Sequence, residues 1–125
     1  MIKNPITSRY GAIDLGTNTF HFLVVENCPS NTFKEIYRER YFIKLAEEGV
    51  NPIGEVPFQR GINAIRNFHK KAVELNVNEV RLIGTAALRT ASNGADFIDQ
   101  VKIDTGWRIQ LISGQEEARL IHKGV

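Results

Sequence analysis

A change of hydrophobic period partway along the chain limits its fold more than any other feature. Phe58, Ile62, Ile65, Phe68 and Ala72 recur at spacings of three and four, the apolar stripe of an amphipathic helix from about Glu55 to Leu75. Everything before it reads differently. Arg9 to Asp14, Thr19 to Glu26 and Thr32 to Lys44 are rich in β-branched and aromatic residues and read as three strands. Asp14 to Asn18 forms the first turn, where Gly16 and Asn18 tolerate positive φ, and Asn27 to Asn31 forms the second. Glu47 to Gly54, with Gly49, Pro52 and Gly54, reads as a loop. Beyond the helix, Glu79 to Gly84 reads as a fourth strand. Asn93 stands where it can cap a short helix carrying Ala95, Ile98 and Val101, which Gly106 ends. Trp107 to Ile112 reads as a fifth strand and Gly114 to Gly124 as a last helix. Adjacent opening strands pair antiparallel, while strands separated by helices need crossovers and pair in parallel. An α/β fold follows, a mixed five-stranded sheet covered by helices.

The 125 residues suit one domain. Net charge is +2 with Lys and Arg scattered, so no basic stripe marks a DNA partner. The longest apolar runs are a few residues, far from the roughly 20 of a membrane helix. MIKNPITSRY lacks the apolar run of a signal peptide, and the single cysteine, Cys28, forbids an intrachain disulfide. A soluble cytoplasmic protein with no membrane partner is expected.

Three segments carry candidate chemistry. In DLGTNT, a tight glycine-containing hairpin can aim successive backbone N–H groups at the oxygens of one phosphate. Gly16, Thr17, Asn18 and Thr19 form that cradle, and Asp14 stands where it could orient a hydrated Mg²⁺. The same string also describes an ordinary hairpin. His21, in the strand that follows, has no partner nearby in sequence and reads as a strand residue. In GTAALRTASN, Gly84 to Asn93, Thr85 offers a hydroxyl and Arg89 a planar charged fork suited to phosphate oxygens. A lone Arg is otherwise a solvated helix charge. In ISGQEEARLIHKGV, Ile112 to Val125, Ser113 to Glu116 is a capping-box sequence, which gives Glu116 a structural task. Glu117 is rotated from it by about 100° on a helix of 3.6 residues per turn and has no such local partner. It is a first-turn acid favoured by the helix dipole, and its ionised form is what a base acting on water requires.

Together these strings resemble the exopolyphosphatase / guanosine pentaphosphate phosphohydrolase family of the actin-like ATPase superfamily. AIDLGTNTFHFLVVE is similar to the superfamily's first phosphate loop, with Thr17 and Thr19 where this family usually has Ser. GTAALRTASN and ISGQEEARLIHKGV are similar to two further family motifs, the last being the most specific. The resemblance runs from about Tyr10 to Val125. It implies a ribonuclease-H-like half-domain and hydrolysis of terminal phosphoanhydride bonds in inorganic polyphosphate or guanosine pentaphosphate. It further implies Mg²⁺ as cofactor, Glu117 as catalytic base and Arg89 as a phosphate contact. KLAEEGV, Lys44 to Val50, matches a family Arg-Leu segment only loosely, with Lys44 standing at the Arg.

Family members carry a second half-domain with another glycine-rich phosphate loop, a string not found here. The expectation is therefore an N-terminal half that is inactive alone and completed in cis. Oligomeric state is not legible, and a homodimer stays open. Two other readings remain: a small-molecule kinase of the same superfamily, and a non-catalytic phosphate- or alarmone-binding module.

Overall fold

The computed structural model describes residues 8–30, 32–113 and 115–116. Three strands come first: β1 (Arg9–Leu15), β2 (Thr19–Asn27) and β3 (Phe33–Phe42). There follow α1 (Glu55–Glu74), β4 (Glu79–Gly84), α2 (Ala86–Thr90), α3 (Gly94–Thr105) and β5 (Ile109–Leu111). The sheet order is β3-β2-β1-β4-β5. β1, β2 and β3 form an antiparallel meander, while β1–β4 and β4–β5 pair in parallel. This is the mixed five-stranded layout expected from the periodicities.

Alternation along the strands selects the covered face. Ile13 and Leu15 of β1 and Phe20, Phe22 and Val24 of β2 are all buried. The stripe of α1 and the apolar side of α3 lie on this face: Phe22 packs against Phe68 with ring centroids 5.1 Å apart, and Phe20 against Phe97 at 6.3 Å. Gly61 lets the two helices meet, since a Cβ there would stand 2.9 Å from the Phe97 ring. Asn76 ends α1 at φ 54, with its N–H on Val73 O and the Val77 N–H on Ala72 O, a Schellman pair. Gly106 ends α3 in the left-handed region, as its sequence position suggested. On β3, Glu39 accepts from the hydroxyls of Tyr37 and Tyr41 at 2.8 Å each. Burial, reinforced by that bond, pushes the Tyr37 hydroxyl up to about 12.

Three details depart from the sequence reading. α2 is an additional helix; at five residues it is too short to show a period. Asn93 stands just before α3, but its side chain does not cap the helix. Its amide closes on Ile53 instead, accepting from the Ile53 N–H at 2.9 Å and donating to the Ile53 carbonyl at 3.0 Å. Asn51 adds a bond from the Ser92 N–H, so the 47–54 loop is stapled to the entrance of α3. Finally, the turn after β1 does not use positive φ. Among the described residues that region holds Lys44, Gly49, Asn76 and Gly106. Gly16 serves close approach instead: a Cβ there would lie 3.0 Å from the Thr19 carbonyl oxygen.

Candidate functional site

Register brings the three motifs to one edge of the molecule. Leu15, Gly84 and Leu111 lie side by side at the C-terminal ends of β1, β4 and β5. The 16–19 turn, the 85–89 segment and the 112–116 segment therefore leave the sheet at the same level. β3 is antiparallel to β2 and so runs the same way as β1, and Phe42 at its end pairs with Thr19. The 43–47 segment becomes a fourth participant. In open α/β sheets this end is where ligands collect.

The turn is held from behind. The Ile43 and Lys44 N–H groups donate to Asn18 O at 2.8 and 3.0 Å, and the Leu45 N–H donates to Thr17 O at 2.8 Å. A trans peptide sets each carbonyl opposite the next residue's N–H. Tying these two carbonyls to 43–45 therefore turns the N–H groups of Asn18 and Thr19 the other way. Thr17 and Thr19 are half-buried, and Asn18 is exposed. Beside them opens a concavity of about 630 Å³, lined by Asn18, Thr19, Phe42, Lys44, Ala46 and Glu47. Lys44 holds φ 53, a left-handed conformation that costs a non-glycine residue roughly 1–2 kcal/mol. From α1, Arg60 Nη1 donates to Ile43 O at 2.6 Å and Nη2 reaches Glu47 at 3.3 Å, which fixes the strap that fixes the turn.

On the other side of the turn, Thr85 is buried and both its N–H and its hydroxyl donate to Leu15 O, at 3.4 and 3.2 Å. In this arrangement the hydroxyl proton anchors β4 to the base of the turn. Arg89 is exposed at the end of α2, and its Nη1 donates to Ile112 O at 2.5 Å. The Ile112 N–H donates in turn to Gly84 O at 3.1 Å. The capping box forms in both directions: the Glu116 N–H donates to Ser113 Oγ at 3.0 Å, and Glu116 Oε1 accepts from the Ser113 N–H at 3.1 Å. Glu117 lies outside the described residues, as does most of the 114–124 span read from the sequence as a last helix.

Asp14 is exposed, on the sheet face opposite Ile13 and Leu15. Its antiparallel neighbour is His21, whose own neighbour on β3 is Arg40. Cross-strand neighbours share a face, so a polar row runs from β1 to β3 at the turn end of the sheet. Sequence distance conceals this relation, and the register supplies it. Among the described residues, no group of three or more His, Cys, Asp or Glu could enclose a metal ion. A second concavity of about 480 Å³ lies on the same face, lined by Tyr10, Ala12, Leu23, Val25, Phe33 and Arg81 among others. It sits towards the start of β1, away from all four segments, and its walls are largely apolar. The polar end is the better candidate for an anionic ligand. No described helix is long and apolar enough to cross a membrane.

The chain is similar to several known proteins. The profile of the Ppx/GppA phosphatase family matches residues 23–125. A guanosine-5'-triphosphate,3'-diphosphate pyrophosphatase from Photobacterium profundum is 38% identical over 129 residues, covering 100% of this chain and 25% of its own length. The crystal structure of an exopolyphosphatase from Cytophaga hutchinsonii superposes with a TM-score of 0.87 at 30% identity, covering 90% of this chain and 36% of that one. An Aquifex aeolicus structure of the Ppx/GppA protein family shares the fold at a TM-score of 0.83 and 21% identity, covering 91% and 38%. The chain thus spans about a quarter of the curated relative it matches and just over a third of the similar crystal structures.

Proposed function

The chain belongs to the Ppx/GppA phosphatase family, and we propose that it supplies the first phosphate loop and the catalytic base of an enzyme hydrolysing terminal phosphoanhydride bonds. The substrate class is inorganic polyphosphate, guanosine pentaphosphate or both. The observation that carries the reading is the convergence of the 16–19, 43–47, 85–89 and 112–116 segments at one sheet end, with the Asn18 and Thr19 amides turned away from their tether.

In this reading the terminal phosphoryl oxygens accept from the N–H groups of Asn18 and Thr19 and from the hydroxyls of Thr17 and Thr19, while the Gly16 N–H closes the turn on Thr19 O at 3.1 Å. Arg89 keeps one nitrogen on Ile112 O and presents the rest of its fork to the same group. Thr85 holds the base of the turn and meets the phosphate if its hydroxyl rotates away from Leu15. A water forms the new bond to phosphorus and gives its proton to Glu117. The bridging P–O bond breaks and its electron pair leaves with the shortened chain. Catalysis of this kind rests mostly on positioning and electrostatics. Asp14, exposed beside the turn, would hold a hydrated Mg²⁺ through water. When bound, the ion offsets charge on the phosphate oxygens. In this reading a second half-domain in cis closes the cleft.

The test is turnover of the full-length protein in H₂¹⁸O with Mg²⁺ and either polyphosphate or guanosine pentaphosphate, and no acceptor. Each orthophosphate released by enzymatic attack of water on the terminal phosphorus is expected to carry one ¹⁸O. Transfer of the phosphoryl group to an added sugar or carboxylate acceptor, with no orthophosphate released in its absence, identifies a kinase. Binding without release identifies a non-catalytic module.

A further inference from the structure

We propose that Lys44 is a substrate-contacting residue whose ammonium group engages a phosphate of the bound polyanion at the mouth of the 16–19 turn. The identity of the ligand rests on the phosphoanhydride reading above, whereas the position of the cation rests on the structure.

Three observations place it. First, the Lys44 N–H is bonded to Asn18 O at 3.0 Å, between the bonds that Ile43 and Leu45 make to the same turn. The lysine backbone is therefore fixed relative to the Asn18 and Thr19 amides. Second, Lys44 lines the same concavity as Asn18 and Thr19 and is the cation among its lining residues. The carboxylate that also lines it, Glu47, is paired with Arg60 at 3.3 Å, so the neighbouring acid already has a cation of its own. Third, Lys44 holds φ 53, where glycine or asparagine is relaxed and lysine is strained. Nothing in the strap's backbone bonding calls for a lysine side chain at that residue. Strained positions held in place by their surroundings cluster at ligand clamps. A flexible stem carrying three donors suits an oxygen-rich anion whose units repeat along a chain. Arg60, through Ile43 O, is the positioning residue that keeps the strap in place.

The test uses the full-length protein and diimidotriphosphate, whose P–N–P bridges resist hydrolysis, with Mg²⁺, read by calorimetry. Lys44→Met keeps length and unbranched shape and is expected to weaken binding by about tenfold or more, the scale of one charge-assisted contact. Lys44→Arg restores the charge and most of the affinity. Lys44→Gly is expected to bind as weakly as Lys44→Met while melting no lower than the parent, because the left-handed backbone suits glycine. A merely structural lysine gives the opposite pair, with stability lost and affinity kept. Equal binding by parent and Lys44→Met overturns the inference. Weakened binding by Lys44→Met, with a parent that releases no phosphate from polyphosphate or guanosine pentaphosphate, upholds Lys44 as an anion contact and overturns the hydrolase reading. A parent that does not bind the anion at all overturns both.

Discussion

Phe68→Ala is expected to remove about 3–5 kcal/mol of folding stability, the range for emptying a buried phenylalanine site. Phe68 is fully buried near the middle of α1. Its ring packs 5.1 Å from that of Phe22 on β2 and 5.3 Å from that of Tyr41 on β3. It therefore joins the helix to two strands of the meander, and alanine leaves a void that three elements cannot close together. Domains of this kind hold only about 5–15 kcal/mol in total, so the variant should unfold at much lower denaturant. Val73, on the same helix but 65% exposed, is the control. Val73→Ala is expected to stay within about 0.5 kcal/mol of the parent. Equilibrium unfolding in urea, read by circular dichroism, measures both. Equal losses at the two positions contradict the packing described.

Glu117→Gln in the full-length protein is expected to lower kcat by about 10²–10⁴-fold, the usual contribution of a general base. Glutamine keeps the size and the hydrogen bonding but not the base, so melting temperature and affinity for the substrate should move little. Its neighbour answers differently. Glu116 takes the Ser113 N–H while giving its own to Ser113 Oγ. Glu116→Ala should cost about 1 kcal/mol as part of a capping box, lowering stability more than kcat. Phosphate release and thermal unfolding on both variants separate the roles. If Glu116 proves the kinetic knockout and Glu117 the stability variant, the assignment is reversed. If neither changes kcat, the base lies elsewhere.

What could be read from the sequence is what short-range pattern encodes. The α1 stripe fixed its helix to within one residue at its C-terminal end, and the β-rich runs located the strands. Strand–helix alternation forced parallel pairing of β4 and β5, because a chain cannot return parallel without a crossover. The capping box was legible because both partners lie within four residues. Relations that depend on register or on distant partners were not. Asp14 and His21 become neighbours only once the hairpin register is known. Asn93 looks like a helix cap locally, yet its amide meets a backbone forty residues earlier. The Thr85 hydroxyl bonds seventy residues back, to Leu15 O. Lys44 was read as the end of the third strand, whereas β3 stops at Phe42 and Lys44 takes a left-handed φ and a bond to Asn18, neither of which has a local signature. Gly16 was read for conformational freedom, whereas the structure uses its missing Cβ. α2 carries too few residues for any period to show.

Hydrogen–deuterium exchange locates the phosphate site on the molecule. The full-length protein is compared with and without diimidotriphosphate and Mg²⁺. The N–H groups of Asn18 and Thr19 are turned away from the strap that tethers their carbonyls. Bound anion is expected to slow exchange in peptides covering 16–19, 43–47 and 85–89. No change is expected around 10–12 and 23–27, at the apolar end of the open sheet face. Protection confined to that apolar end, or anion binding with no slowing at 16–19, would contradict that placement of the site.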